Sequence, residues 1–416
     1  MAAGADAGEP VTGPSALVLA TLDTKGPEAA YLAEAIRRAG VRPLVLDLSV
    51  FDPPTTTADI PREEVARAAG ADPKTLRTLA RAEALDVMAK GAALIARRLL
   101  DSGELHGVTG LGGSQGTVAG TRVMATLPFG LPKLMVSTMA SGNTRPYVGT
   151  ADIAMLPPVV DLSGLNRFCR SALDNAGSAI AGMARGRQAT QPVRHGEEAA
   201  MTMFGSTTPC VTRVATRLRE HGIEPVTFHA NGIGGCALEE WLDDGEFSGV
   251  FDITTTELAD ELVGGHRSAG PARLEAAGRR GIPQVVAPGA LDMVNFGPPD
   301  TVPPAFAGRL MHRHNAGTTL MRTTRSENAR LGEWMAEKLN RARGPVGLVL
   351  PLLGFSAYDI AGGPFFDPEA DAAFVSAVTS GLRPGIRVVE VDAHINAPAF
   401  ADAALDLYLA LRTGDA

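Results

Sequence analysis

The chain has 416 residues, 45% hydrophobic and 20% charged, with a formal net charge of −8. That length exceeds the roughly 250–300 residues over which a single hydrophobic core keeps growing, so two domains are expected. The acidic balance excludes a general nucleic-acid-binding surface, which needs many basic groups against phosphate.

The three cysteines, Cys169, Cys210 and Cys236, are far apart and lack zinc-ligand spacing, which fits reduced thiols in a cytosol. No apolar run approaches the roughly 18 residues of a membrane helix. A cytoplasmic protein with a flexible leader over residues 1–14 is predicted.

"SALVLATLDT" opens the first unit as a short apolar run ending in polar residues, the pattern of a strand buried on both faces. "GPEAAYLAEAIRRAG" has helical spacing and a closing glycine, and "VRPLVLDLSV" completes a β-α-β unit. "FDPPTTTADIPREEVARAAGADPKTL" reads as an ordered loop with a short helix that covers a pocket, and a long amphipathic helix ends at "RRLLDSG". The strand "LHGVTGL" runs into the glycine loop "GLGGSQGT", and "PKLMVSTMASGN" repeats the sequence of apolar strand and small polar end. A helix over "RFCRSALDNAGSAIAGMARG" is predicted to stop at Gly186, and the aperiodic residues 187–197 are the linker.

The second unit restarts with strand, small polar loop and helix in "AMTMFGSTTPCVTRVATRLREHG". "EPVTFHANGIGGCALEEWLDDG" and "FSGVFDITTTELADELVGG" repeat the pattern, and further strands end in "APGALD", "LLGFS" and "VDAHIN". The fold class is therefore α/β: two Rossmann-like domains, residues 15–190 and 197–416, with mainly parallel sheets flanked by helices. A TIM barrel is the topological rival, disfavoured by the linker and the restart.

In open parallel sheets ligands bind beyond the strands' carboxyl ends. There the first unit places Asp23, Thr24 and Lys25; Gly112, Gly113, Ser114, Gly116 and Thr117; and Ser137, Thr138, Ser141 and Asn143. Glycines let backbone N–H groups approach phosphate beside a helix dipole, although the loop lacks GxxxxGK[ST] and also suits a plain tight turn. A carboxylate, a hydroxyl and an ammonium at 23–25 suit Mg²⁺ with phosphate, Asp23 being the metal candidate, and equally suit an exposed turn.

The second unit offers His229 in "FHANGIGG", which joins an imidazole to a glycine turn, and Glu257 and Asp260 after a threonine run that reads either as chemistry or as helix caps. Asp292 and His394 sit at later strand ends. Cys210 reads as a small core residue. His312 and His314 alternate so that a strand puts both on one face, without a third metal ligand in view.

At these same segments the chain resembles the Tm-one-like ATP-binding protein family. The resemblance runs through "ATLDTKGPE", "GLGGSQGT", "LPKLMVSTMASGNTRPYVGTADI", "TMFGSTTPCVT", "FHANGIGG", "FDITTTELADELVGG" and "GGPFFDPEAD", nearly the whole chain. It implies two Rossmann-like domains, binding of ATP or a related nucleotide with Mg²⁺, and a homodimer. Gln115 and Cys236 depart from the expected pattern without removing a phosphate donor.

Together these readings predict an enzyme. Asp23, Lys25 and the loops 112–117 and 137–143 would hold Mg-ATP, and an unidentified small substrate would meet it in an interdomain cleft, presented by His229, Thr255, Glu257 and His394. A nucleotide-dependent switch or interaction module without turnover is one alternative. A metal-dependent hydrolase or lyase acting on a phosphorylated small molecule is the other.

Overall fold

The computed structural model describes residues 13–189, 196–245 and 247–414. Of the expected leader only residues 13 and 14 fall within it, and of the expected linker residues 190–195 lie outside. The chain divides into two compact units on either side of the bond between Val193 and Arg194.

The first unit runs β1 (Ser15–Ala20), α1 (Leu22–Arg38), β2 (Arg42–Asp47), α2 (Arg62–Ala68), α3 (Pro73–Leu76) and α4 (Arg81–Asp101). It continues with β3 (Gly107–Gly112), α5 (Ser114–Ala125), β4 (Lys133–Ser137), α6 (Arg145–Val148), β5 (Ala154–Leu156) and α7 (Arg167–Ala189). The five strands form one parallel sheet in the order β2-β1-β3-β4-β5. β1 shows why the strands read as continuous apolar runs. Leu17 and Leu19 enter the core beneath α2, α4 and α5, while Ala16, Val18 and Ala20 enter the core with α1 and α7. With both faces covered, neither register of side chains is left to water.

α7 passes through Gly186 and ends at Ala189. A lone glycine costs a helix only about 1 kcal/mol, so it does not by itself stop one.

The second unit runs β6 (Glu197–Met203), α8 (Thr208–Glu220), β7 (Ile223–His229), α9 (Ile233–Asp243), β8 (Gly249–Thr254), α10 (Thr256–Val263), α11 (Ala276–Arg280) and β9 (Gln284–Gly289). Then follow β10 (Met293–Phe296), β11 (Met311–Asn315), β12 (Thr318–Arg322), α12 (Arg325–Asn340), β13 (Val346–Pro351), α13 (Pro368–Gly381), β14 (Arg387–Val391) and α14 (Pro398–Thr413). Six strands make a parallel sheet, β14-β13-β9-β8-β6-β7. The antiparallel sheet β10-β12-β11, which the strand-and-helix reading did not foresee, inserts between β9 and α12.

Both parallel sheets are open, with strands such as β2 and β7 paired on one side only, so the barrel alternative is excluded. Among the described residues no helix is long and apolar enough to cross a membrane.

The second unit is tied together by a buried ion cluster. Arg273, 1% exposed, directs its guanidinium at Asp252 on β8 and donates Nε to Glu257 (2.7 Å) and Nη1 to Glu239 on α9 (3.3 Å). Glu239 also accepts the backbone N–H groups of Leu274 and Ala276 at the start of α11. Removing the one cation leaves three buried carboxylates facing each other. Arg273→Met is expected to lower the unfolding free energy by about 3–5 kcal/mol in urea titrations, whereas a loss below about 1 kcal/mol would mean the cluster does not hold the unit together.

Candidate functional site

In the first unit β2 and β3 lie on opposite sides of β1. The connections leaving β1 and β3 therefore diverge, and the gap they leave at the carboxyl edge is where open sheets take ligands.

A cleft of about 160 Å³ opens there. Thr21, Asp23, Thr24 and Lys25 line it from the end of β1, Gly112–Gly116 from the end of β3, Ser49, Val50 and Phe51 from the end of β2, and Arg81 and Leu85 from α4. Two helix N-termini meet at this cleft. Gly113 before α5 has no side chain with which to cap its helix; Thr21 before α1 does not cap either, and the first N–H of α1 is taken by Asp47 instead. Asp47 at the end of β2 fixes the frame by accepting from Leu22 N (3.2 Å) and Ser49 N (2.8 Å).

Within the cleft, Asp23 is half-buried, and its carboxyl is pushed above the usual range by desolvation, with the charge of Asp47 adding to the shift. Thr24 pairs its hydroxyl with Thr21 (3.0 Å), and Lys25 donates one ammonium proton to the carbonyl of Leu162. The guanidinium of Arg81 lies 4.9 Å over the ring of Phe51. The hydroxyl of Ser49 is buried without a hydrogen-bond partner.

Several predicted ligands lie elsewhere. Thr117 and Ser137 are fully buried beneath the cleft and bond each other (2.6 Å); Thr117 donates on to Gly113 O (2.8 Å), and Ser137 accepts from Met139 N (2.9 Å). They brace the turn and do not line the cleft. Thr138 is half-buried beside Gly113, while Ser141 and Asn143 are exposed, Asn143 accepting from the backbone of Arg145 (3.1 Å).

The sequence reading missed Ser49, Phe51 and Arg81. The rule that strand ends carry ligands pointed to the first two, since they follow β2. No pattern marked Arg81, which folding returns to the cleft at the start of α4.

In the second unit two of the three predicted catalytic side chains, Glu257 and His394, are engaged in structure. Glu257 is fully buried; Oε1 accepts from Gly232 N (2.6 Å) and Gly235 N (3.0 Å), and Oε2 from Arg273. Buried and holding three donors, this carboxylate shapes the "ANGIGG" turn. Asn396 N donates to Nδ1 of His394 (3.1 Å), so Nε2 carries the proton and donates to the carbonyl of Ser356 (2.9 Å). His229 is exposed, its ring stacked on Phe204 at 5.5 Å.

The threonine run does not cap α10. Thr254 bonds Thr207 (2.7 Å), Thr255 donates to Ala287 O (3.0 Å), and Thr256 accepts from Asn295 (3.2 Å). Cys210 is a core residue whose thiol burial pushes up to about 12. His312 and His314 do share a face, both against Tyr358. Among the described residues no group of three His, Cys, Asp or Glu side chains could hold a metal ion.

A second acidic cluster surrounds Arg322, which donates to Asp371 (2.7 Å) and lies 3.8 Å from Asp359. Ser356 donates to Asp292 (2.8 Å) in the same cluster. Three buried carboxyls share one guanidinium. Desolvation and the charge of Asp359 raise Asp292 to about 7 and Asp371 to about 8.

Residues 14–189 match the model of the Uncharacterised protein family (UPF0261) N-terminal domain, and residues 197–412 that of its C-terminal domain. A UPF0261 protein of Clostridium tetani is 44% identical over 389 residues, covering 92% of this chain and 96% of its own. The ToMV resistance protein Tm-1(GCR237) of Solanum lycopersicum is 39% identical over 420 residues, covering 95% of this chain and 55% of the tomato protein. A crystal structure of a putative UDP-N-acetylglucosamine 2-epimerase from Listeria monocytogenes aligns with 65% of this chain and 79% of its own, at 12% identity and a TM-score of 0.23, too slight a likeness to say anything of this chain.

The carboxyls around Arg322 have a pH signature. A carboxyl raised in the folded state stabilises it fully below the unfolded value near 3.8, and that stability is lost as pH rises through the folded value. As pH rises from about 5 toward 7, Asp292 and Asp371 together therefore make unfolding easier. Asp292→Asn is expected to make the pH dependence of urea unfolding shallower over that window, Asp371 keeping the rest of it. An unchanged slope would show that Asp292 is already ionised in the folded protein.

Proposed function

The chain belongs to the UPF0261 family, whose description assigns no activity, so function is read from the cleft itself: we propose that the first unit binds Mg-ATP there and that the protein is an enzyme using it for phosphoryl transfer to, or activation of, a small substrate. Two glycines carry this reading.

Gly112 is required by the fold, since a Cβ on it would come within 2.8 Å of Gly116 Cα. Gly113 is not: its φ of −79° suits any residue, and a Cβ would meet nothing nearer than Thr138 Oγ1 at 3.9 Å. Gly116 is not either, a Cβ there lying 3.5 Å from Leu111 O, although glycine in a helix costs about 0.5–1 kcal/mol relative to alanine. Both line the cleft beside the uncapped N-terminus of α5. Absent side chains that the protein does not need, next to unpartnered N–H groups, favour a ligand whose oxygen atoms approach the backbone closely.

The remaining residues fit a metal-bound triphosphate. Mg²⁺ is commonly held by one or two carboxylates together with phosphate oxygens, and Asp23 supplies a carboxylate whose raised affinity for protons a cation would offset. The unpartnered hydroxyl of Ser49 and the cations Lys25 and Arg81 line the same walls. When bound, Mg-ATP supplies an activated phosphoryl group; the chain's part is to position it and neutralise its charge.

The test uses Gly113. Because the fold has room there, Gly113→Ala should leave the unfolding midpoint within about 2 °C of the parent. Gly113→Asp, adding charge and bulk, should weaken Mg-ATP binding in calorimetry at least about a hundredfold, ~2.7 kcal/mol. Full affinity in a folded Gly113→Asp protein would place the nucleotide elsewhere, and no binding by the parent at millimolar Mg-ATP would end the reading.

A further inference from the structure

Beside the phosphate cleft, and sharing Ser49 and Val50 with it as a common wall, lies a larger cavity of about 490 Å³. This size falls within the range of small-molecule sites, roughly 300–1,000 Å³. Its floor is apolar and buried: Val50, Ala66, Leu76 and Met88.

Its rim is cationic. Arg62 is neutralised by Glu63 (3.2 Å), and Asp72, exposed and accepting from Lys74 N (2.9 Å) at the start of α3, sets one negative charge against the two of Lys74 and Arg77, so that the rim is net positive by one. Lys74 and Arg77 remain, both exposed, and among the described residues neither is in an ion pair. These residues belong to the segment expected from the sequence to cover a pocket. The structure gives that pocket a charge.

We propose that this cavity is a second ligand site, taking a small organic acid with an apolar body, its carboxylate toward Lys74 and Arg77 and its body on the floor. The charge decides against the simpler occupant, the nucleoside half of the nucleotide in the neighbouring cleft. A nucleoside is neutral and leaves the rim's net positive charge unused, and a hydrocarbon does the same. An anion with an apolar body uses both features. The buried Ser49 hydroxyl, without a partner in the wall between the two spaces, stands where the two ligands come nearest. The inference rests on the nucleotide reading only for what the two ligands do together, since the acid's binding is separately measurable.

Calorimetry on the full chain tests it with hexanoate and phenylacetate as probes and 1-hexanol as the uncharged control. Saturable binding of the acids is expected, at least about tenfold tighter than the alcohol. The double variant Lys74→Glu, Arg77→Glu, both surface positions, should lose the acids at least about tenfold while its Mg-ATP affinity changes less than about twofold. No saturable binding of either acid, or equal binding by the double variant, overturns the proposal. Competition of adenosine with hexanoate also overturns it, by making the cavity the nucleoside's. Acid binding as expected in a protein that binds no nucleotide upholds this site and removes only the nucleotide reading.

Discussion

The site depends on one topological constraint: the chain lays β2 on one side of β1 and then crosses back to lay β3 on the other. All neighbours are parallel, so every carboxyl end lies on the same edge, and helices leave β1 and β3 in divergent directions. The connection from β2 to β3 borders the gap between them, through Ser49–Phe51 and Arg81, without filling it. Asp47 then pins the end of β2 to the start of α1 by accepting its first N–H, which leaves the uncapped start of α5 facing that gap.

The second unit repeats the same order around β6, with β7 on one side and β8 on the other, yet its gap is closed from within. Thr207 from the end of β6 bonds Thr254 from the end of β8 (2.7 Å), and Asn396 and Ala357 both donate to the carbonyl of Ser206 (2.9 and 3.0 Å). Glu257, which follows β8, is consumed by the glycine turn after β7 and by Arg273. Equal topology therefore does not give equal chemistry. The second gap keeps one unpartnered buried hydroxyl, that of Ser206, as the first keeps that of Ser49. What separates the units is that the carboxylate and threonines at and after the end of β8 are bonded within the protein, whereas Asp23 and the 113–116 backbone line an open cleft.

How much was legible in the sequence follows from this. The strands were, because burial on both faces turns each into a run such as "ALVLA", and so were the 23–25 and 112–116 segments, because small polar residues follow those runs. The roles of His394, Glu257 and Thr117 were not. Their residue types are those of reactive groups, and only the partners brought by distant segments show that each is already engaged. Arg81 and Ser49 were missed for the converse reason. An arginine opening a helix and a serine after a strand look ordinary until folding sets them in the same walls. The antiparallel sheet β10-β12-β11 escaped because its strands are short and "MHRHN" lacks an apolar run.

The central claim is that the unfilled gap of the first unit, and not its counterpart in the second, receives a nucleotide's phosphates. A crystal structure of the protein soaked with Mg-ATP measures this most directly. The account predicts triphosphate density against the backbone of Gly113–Gly116 with the cation beside Asp23. Density at Gly205–Thr208 in the second unit, or none at saturating nucleotide, would contradict it.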